Sequence, residues 1–232
     1  MINSMNGKFN SKSLHILILA AILALFARVS VAAEPLRLLV LGDSLSAAYG
    51  MPVQDAWVAL LAQRLDAIRR EDRSEGESEK WPGVEVINAS ISGETTAGGL
   101  ERLPGLLAKH RPRLVIIALG ANDGLRGFAP RDIGERLVQL IDRAEASGAS
   151  VLLVGIRLPP NYGAAYSEGF QRMFADVAEQ TGVQLVPRLL AGVAERWDLM
   201  QADGLHPTAA AQARILDNLW PALREMLHAP GN

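Results

Sequence analysis

Short runs of aliphatic and β-branched residues alternate along this chain with longer amphipathic stretches, and that alternation restricts the fold more than any other feature. Leu36–Leu41, Val84–Asn88, Leu114–Leu119, Val151–Ile156 and Val183–Val186 read as five strands. Leu114–Leu119 is almost continuously apolar, as a central strand covered on both faces should be. Helices are expected over Trp57–Arg70, from Thr95/Thr96 to about Lys109, and over Pro130–Ser147, Ser167–Thr181 and Pro207–Leu227. Thr95 or Thr96 can cap the second, Gly148 and Gly182 end the third and fourth, and Pro207 suits the first turn of the last. Pro104 and Pro221 are expected to kink or split the helices that hold them. Strands joined through helices need right-handed crossovers. The implied architecture is a flavodoxin-like three-layer α/β/α sandwich around a five-stranded parallel sheet. The charged stretch 71–80 reads as a solvated loop at the N-terminal edge of that sheet.

The pattern starts only after residue 33. Before it stand Lys8 and Lys12 with no acidic residue, then an apolar run from Leu14 to Ala27, then Val31-Ala32-Ala33. This is the layout of a signal peptide cleaved after Ala33. The run is 14 residues long, short of the roughly 20 that span a bilayer, which disfavours an uncleaved anchor. Residues 34–232 would then form one domain, periplasmic or secreted, with no stable membrane insertion after cleavage. Loss of Lys8, Lys12 and Arg28 moves the formal charge from −2 to −5, which argues against a nucleic-acid partner. The absence of cysteine excludes a cysteine nucleophile, a thiolate metal site and a lipidated N-terminal Cys.

Ligands of open α/β sheets sit beyond the carboxyl ends of the strands. The first strand ends in Gly42-Asp43-Ser44-Leu45-Ser46 and the second runs into Asn88-Ala89-Ser90-Ile91-Ser92-Gly93. The third ends in Gly120-Ala121-Asn122-Asp123-Gly124, the fourth leads to Arg157–Tyr162, and Asp203-Gly204-Leu205-His206-Pro207 follows the fifth. Polar, glycine-flanked residues therefore converge on one edge.

A serine becomes a useful nucleophile when a base takes its proton and a third group orients that base. Of the four histidines, His15 lies in the leader, His110 precedes the third strand at the opposite edge, and His228 sits in the C-terminal tail. His206 is the candidate base for Ser44. Asp203, three residues earlier across Gly204, can reach back to its Nδ1–H. Alone, Asp203 would read equally well as a helix cap; the strand-end Gly-Asp-Ser is what favours a triad. Three groups could stabilise an oxyanion: the N–H of Ser44, the N–H of Gly93 and the amide of Asn122. Asp43 is expected to brace its loop and Asp123 the turn at 120–124. Leu45, Leu158, Pro159 and Tyr162, together with Met51, Leu125, Phe128 and Pro160, lie on strand-end loops that could build an apolar substrate groove. No GxSxG elbow occurs, which argues against the α/β-hydrolase fold.

Gly-Asp-Ser-Leu-Ser at 42–46, Gly93 in Ser-Gly-Glu-Thr-Thr, Gly-Ala-Asn-Asp at 120–123 and Asp-Gly-Leu-His-Pro at 203–207 resemble, in order, the four blocks of the SGNH/GDSL hydrolases. The resemblance implies Ser44 as nucleophile and oxyanion donor, Gly93 and Asn122 as further oxyanion donors, and Asp203 with His206 completing the triad. Residues 120–128 and 156–163 look like the periplasmic branch of multifunctional acyl-CoA thioesterase/lysophospholipases and related arylesterases. That branch implies hydrolysis of small-molecule or lipid esters and thioesters with no metal or cofactor. Ala121 stands where that branch would be expected to have glycine. Three rivals remain at this level: a carbohydrate O-deacetylase with the same triad, a metal-dependent phosphoesterase using Asp43, Asp123, Asp203 and His206, and a non-catalytic binding module.

Overall fold

Five of the apolar runs lie side by side and all point the same way. The computed structural model describes residues 34–74 and 83–228. Its strands are β1 (Leu36–Gly42), β2 (Val84–Asn88), β3 (Leu114–Ala118), β4 (Ser150–Val154) and β5 (Gln184–Val186), in the order β2-β1-β3-β4-β5 and parallel throughout. The connecting helices are α1 (Trp57–Ser74), α2 (Thr96–His110), the short α3 (Ala121–Leu125), α4 (Pro130–Ala146), α5 (Ala164–Thr181) and α6 (Gln212–His228). Contacts join α1 to α6, α2 to α4 and α4 to α5, giving one helical layer on each side of the sheet. This is the expected flavodoxin-like sandwich. Among the described residues no helix is long and apolar enough to cross a membrane. The leader expected over 1–33 lies outside the described residues, as do 75–80 of the charged stretch, whose first four residues extend α1 instead of forming a loop.

The core follows from the period of the strands. Leu38, Leu39, Val40, Leu41, Val115, Ile116 and Ile117 are all fully buried, because β1 and β3 are covered on both faces. The chain passes from β1 to β2 on one side and then to β3 on the other, so the β1/β3 boundary is the topological switch point where such sheets bind ligands. Register aligns Gly42 with Ala118. The β1–β2 ladder continues past its last strand pair through Ala89 N–H to Val40 O at 2.9 Å and Ile91 N–H to Gly42 O at 3.1 Å. Three of the four sequence blocks are thereby drawn to one edge.

Several expectations differ from the structure: α1 extends to Ser74, α5 starts at Ala164, β4 is Ser150–Val154, and α6 continues through Pro221. The block at 120–125 turns into α3 instead of a simple loop, because Gly120 at φ +113 redirects the chain at once. The last helix begins at Gln212 after a 3₁₀ turn at Ala209–Ala211, not at Pro207. Pro207 is instead bridged to Met200, flanked by Gln201 N–H to His206 O at 2.7 Å and Thr208 N–H to Leu199 O at 2.8 Å. Finally, α2 runs unbroken through Pro104. The Leu100 carbonyl, four residues earlier, would lose its helical donor there; Arg143 Nη1 on α4 donates to it at 2.9 Å. The proline is exposed, so its ring meets no packed neighbour to force a break.

Pro104→Ala should therefore stabilise the protein by about 1–3 kcal/mol in denaturant unfolding, by restoring a helical N–H at an exposed site. Destabilisation would mean that Pro104 is needed for the path of α2.

Candidate active site

Ser44 follows β1 by two residues in a turn that Asp43 organises. Asp43 O accepts from the N–H groups of Ser46 and Ala47, and its Oδ1 accepts from Leu45 N–H at 3.0 Å. The turn is anchored from outside: Trp57, fully buried at the start of α1, donates its indole N–H to Leu45 O at 3.1 Å. Gln212 Oε1 accepts the Trp57 backbone N–H at 3.0 Å, supplying a partner for a helix-start donor. Asn88 Nδ2 donates to Ser46 O at 2.8 Å.

His206 reaches this turn from the far end of the chain. Its Nε2 lies 2.9 Å from Ser44 Oγ and its Nδ1 lies 2.7 Å from Asp203 Oδ2. Asp203 Oδ1 accepts the backbone N–H groups of Leu205 at 2.9 Å and His206 at 3.0 Å, which closes the three-residue turn. The His206 backbone N–H and its ring hold the Asp203 carboxyl down at about 2. An ionised carboxylate only accepts hydrogen bonds, so Nδ1 carries the proton. Nε2 is then left with a lone pair facing the Ser44 hydroxyl. This geometry can deprotonate the serine.

The remaining candidates, Gly93 and Asn122, lie in the segments that follow β2 and β3. Gly93 sits at φ +81 in the turn closed by Glu94 N–H to Ile91 O at 3.1 Å, a handedness that favours glycine. A Cβ there would meet nothing within 4 Å, so backbone conformation, not space, is what calls for glycine. Arg126 Nη2 donates to Gly93 O at 3.2 Å, while Arg102 bridges Glu94 Oε2 at 2.7 Å and Ala89 O at 2.8 Å. Asn122 Nδ2 donates to Glu94 O at 3.0 Å and, at a longer 3.3 Å, to Asp43 Oδ2. The first contact locks the amide in place. The second directs the amide at the carboxylate of Asp43, the residue before Ser44.

The four residues of the metal-dependent reading do not form one ligand set. Asp123 is fully buried and turned to α2, accepting from Thr96 N–H at 2.9 Å and Thr96 Oγ at 2.6 Å. Asp203 is spent on His206. Asp43 is 2 % exposed, and burial pushes its carboxyl up to about 6 against the pull of Leu45 N–H and of His206. Among the described residues no group of three or more His, Asp or Glu side chains is placed to hold a metal ion.

A groove of about 740 Å³ opens on Ser44, Asn122 and His206. Leu45, Leu125, Leu158, Pro159 and Pro160 line it, with Leu158 also packed into the core. Tyr162, Met51 and Phe128 are not among its lining residues. Tyr162 instead donates its hydroxyl to Leu125 O at 3.0 Å and so braces the wall from outside. The opposite wall was not anticipated: Ala164, Ser167 and Gln171 on α5 and Leu190, Ala194 and Met200 after β5. Nothing in their local sequence marks them, because they meet the site only through the packing of α5 and the return of the chain from β5. Tyr49 and Gln201, which contact the His206 loop, were missed for the same reason.

Residues 40–214 match the model of the GDSL-like lipase/acylhydrolase family. The chain is 50% identical over 190 residues to "Esterase TesA" of Pseudomonas aeruginosa, spanning 82% of this chain and 89% of that protein. It is 41% identical over 192 residues to "Thioesterase 1/protease 1/lysophospholipase L1" of Escherichia coli K12, spanning 82% and 85%. The crystal structure of psychrotrophic esterase EstA from Pseudoalteromonas sp., inhibited by monoethylphosphonate, superposes with a TM-score of 0.73 at 40% identity, covering 83% of this chain and 99% of that one.

The raised Asp43 carboxyl makes a prediction about stability. The folded protein binds this proton more tightly than the unfolded chain, so the contribution is fully present below about pH 4 and lost as pH rises through about 6. Asp43→Asn should be more stable than wild type at pH 8 by up to about 3 kcal/mol and lose that advantage by pH 4. A difference independent of pH would show that Asp43 titrates as an ordinary carboxylate.

Proposed function

Because the chain belongs to the GDSL-like lipase/acylhydrolase family, we propose that Ser44 is the nucleophile of a serine ester hydrolase acting on acyl esters and thioesters through an acyl-enzyme. The observation that carries this reading is the continuous Asp203–His206–Ser44 relay, 2.7 Å and 2.9 Å long at its two contacts. His206 Nε2 takes the Ser44 proton as Oγ bonds to the carbonyl carbon, and the carbonyl π electrons move onto oxygen. Asp203 stays ionised and holds the imidazolium through Nδ1–H. The tetrahedral oxyanion is met by Ser44 N–H, Gly93 N–H and the Asn122 amide. Asn122 exchanges its long contact to Asp43 for this stronger one, as apo hydrogen bonds at active sites often do. Collapse breaks the bond to the alkoxide or thiolate, which leaves with the proton from His206 Nε2. Water, deprotonated by the same nitrogen, then releases the acid and restores Ser44.

The substrate class follows from the groove. Leu45, Leu158 and Pro159 offer apolar contact to an acyl chain, and Tyr162 supports them through Leu125. A volume of about 740 Å³ fits chains well beyond acetyl, which favours a lysophospholipase- or thioesterase-like preference over a carbohydrate O-deacetylase. The basic and then apolar pattern before Ala33 supports export, so we place the processed chain, one domain from Glu34 onward, in the periplasm.

The test is hydrolysis of p-nitrophenyl esters from acetyl to palmitoyl. Wild type should favour medium or long chains, Ser44→Ala should be inert, and Asn122→Ala should lose on the order of 10²–10³ in kcat with its fold intact. Turnover surviving in Ser44→Ala would refute the mechanism. Activity confined to acetyl esters would transfer the preference to the deacetylase.

A further inference from the structure

Tyr49 belongs to neither wall of the groove, yet its ring lies on His206 with centroids 4.2 Å apart and 32° between planes. The ring is 47 % exposed, so burial of apolar surface does not account for its position. The backbone around it is held deliberately. Ala48 before it adopts φ +61 and Gly50 after it φ +71, and a left-handed alanine is uncommon and carries strain. Gln201 Nε2 donates to Tyr49 O at 2.9 Å and to Pro207 O at 3.0 Å, and Gln201 N–H donates to His206 O at 2.7 Å. One residue thus ties the loop after Ser44 to the loop that carries His206. A Cβ at position 50 would fall on Gln201 Oε1, so glycine is what allows the tie to close.

We propose that Tyr49 is a positioning residue for His206. Its ring restrains the imidazole in the orientation that presents Nε2 to Ser44 Oγ, and its π face lies against the ring when that ring becomes an imidazolium. Two hydrogen bonds, one to Asp203 and one to Ser44, leave the imidazole free to tilt about the line joining its nitrogens; a tilted ring packed 4.2 Å away, centroid to centroid, restricts that freedom. The positive charge that forms during acylation is then attracted to the aromatic quadrupole. Because Tyr49 lies off the groove, the benefit falls on the chemical step and not on substrate affinity. Because the ring makes the contact, the hydroxyl is dispensable. The inference rests on the reading of His206 as the general base.

Steady-state hydrolysis of a medium-chain p-nitrophenyl ester by wild type, Tyr49→Leu, Tyr49→Phe and His206→Ala tests it. Tyr49→Leu is expected to lower kcat about 5- to 30-fold with KM within about two-fold, and Tyr49→Phe to restore most of the loss. Wild-type kcat in Tyr49→Leu would overturn the proposal. So would a Phe variant as slow as the Leu variant, or a rise in KM at constant kcat. Turnover persisting in His206→Ala would instead overturn the triad on which it rests, so the two failures are told apart.

Discussion

The contact of 2.9 Å between His206 Nε2 and Ser44 Oγ joins residues 162 positions apart, and the rest of the site is arranged around keeping it. The serine turn is held by the Asp43 side chain, by Trp57 from α1 and by Asn88 from β2. The histidine turn is held by Asp203 and by the Met200–Pro207 bridge. The early strands deliver one partner and a long return after β5 delivers the other. A parallel sheet is suited to this, because its carboxyl ends all open on one side.

Three aspartates near that contact differ in task because their surroundings differ. Asp203 is partly exposed and takes two backbone N–H groups besides the imidazole, so it remains ionised down to about pH 2. Asp43 is buried with few donors, and its carboxyl is raised to about 6. Asp123 is turned away into Thr96, where it fixes α3 to the start of α2. Only Asp203 meets the histidine. The same side chain thus serves as orienter, loop brace and structural tie, and environment decides which.

Much of this was legible in the sequence, for identifiable reasons. The strands were visible because a buried parallel strand must be apolar on both faces, and β2 was recovered to the residue. Ser44, Asn122, Asp203 and His206 were visible because they follow the carboxyl ends of strands, Asn122 in the first turn of α3. What escaped was set by tertiary contact. The start of α6 shifted from Pro207 to Gln212 because residues 206–208 pair with 199–201 across the chain. Helix α2 kept its course through Pro104 because Arg143 on α4 supplies the missing donor. Tyr162 was expected in the groove and braces it from outside, while Tyr49 showed nothing in its spacing to announce a ring contact with His206.

The proposed mechanism requires Ser44 to be nucleophilic. Intact mass followed by peptide mapping after exposure to a fluorophosphonate at neutral pH measures this without reference to any substrate. A single adduct on Ser44 is expected, and it should disappear in His206→Ala. No adduct on wild type, or an adduct of equal rate in His206→Ala, would contradict it.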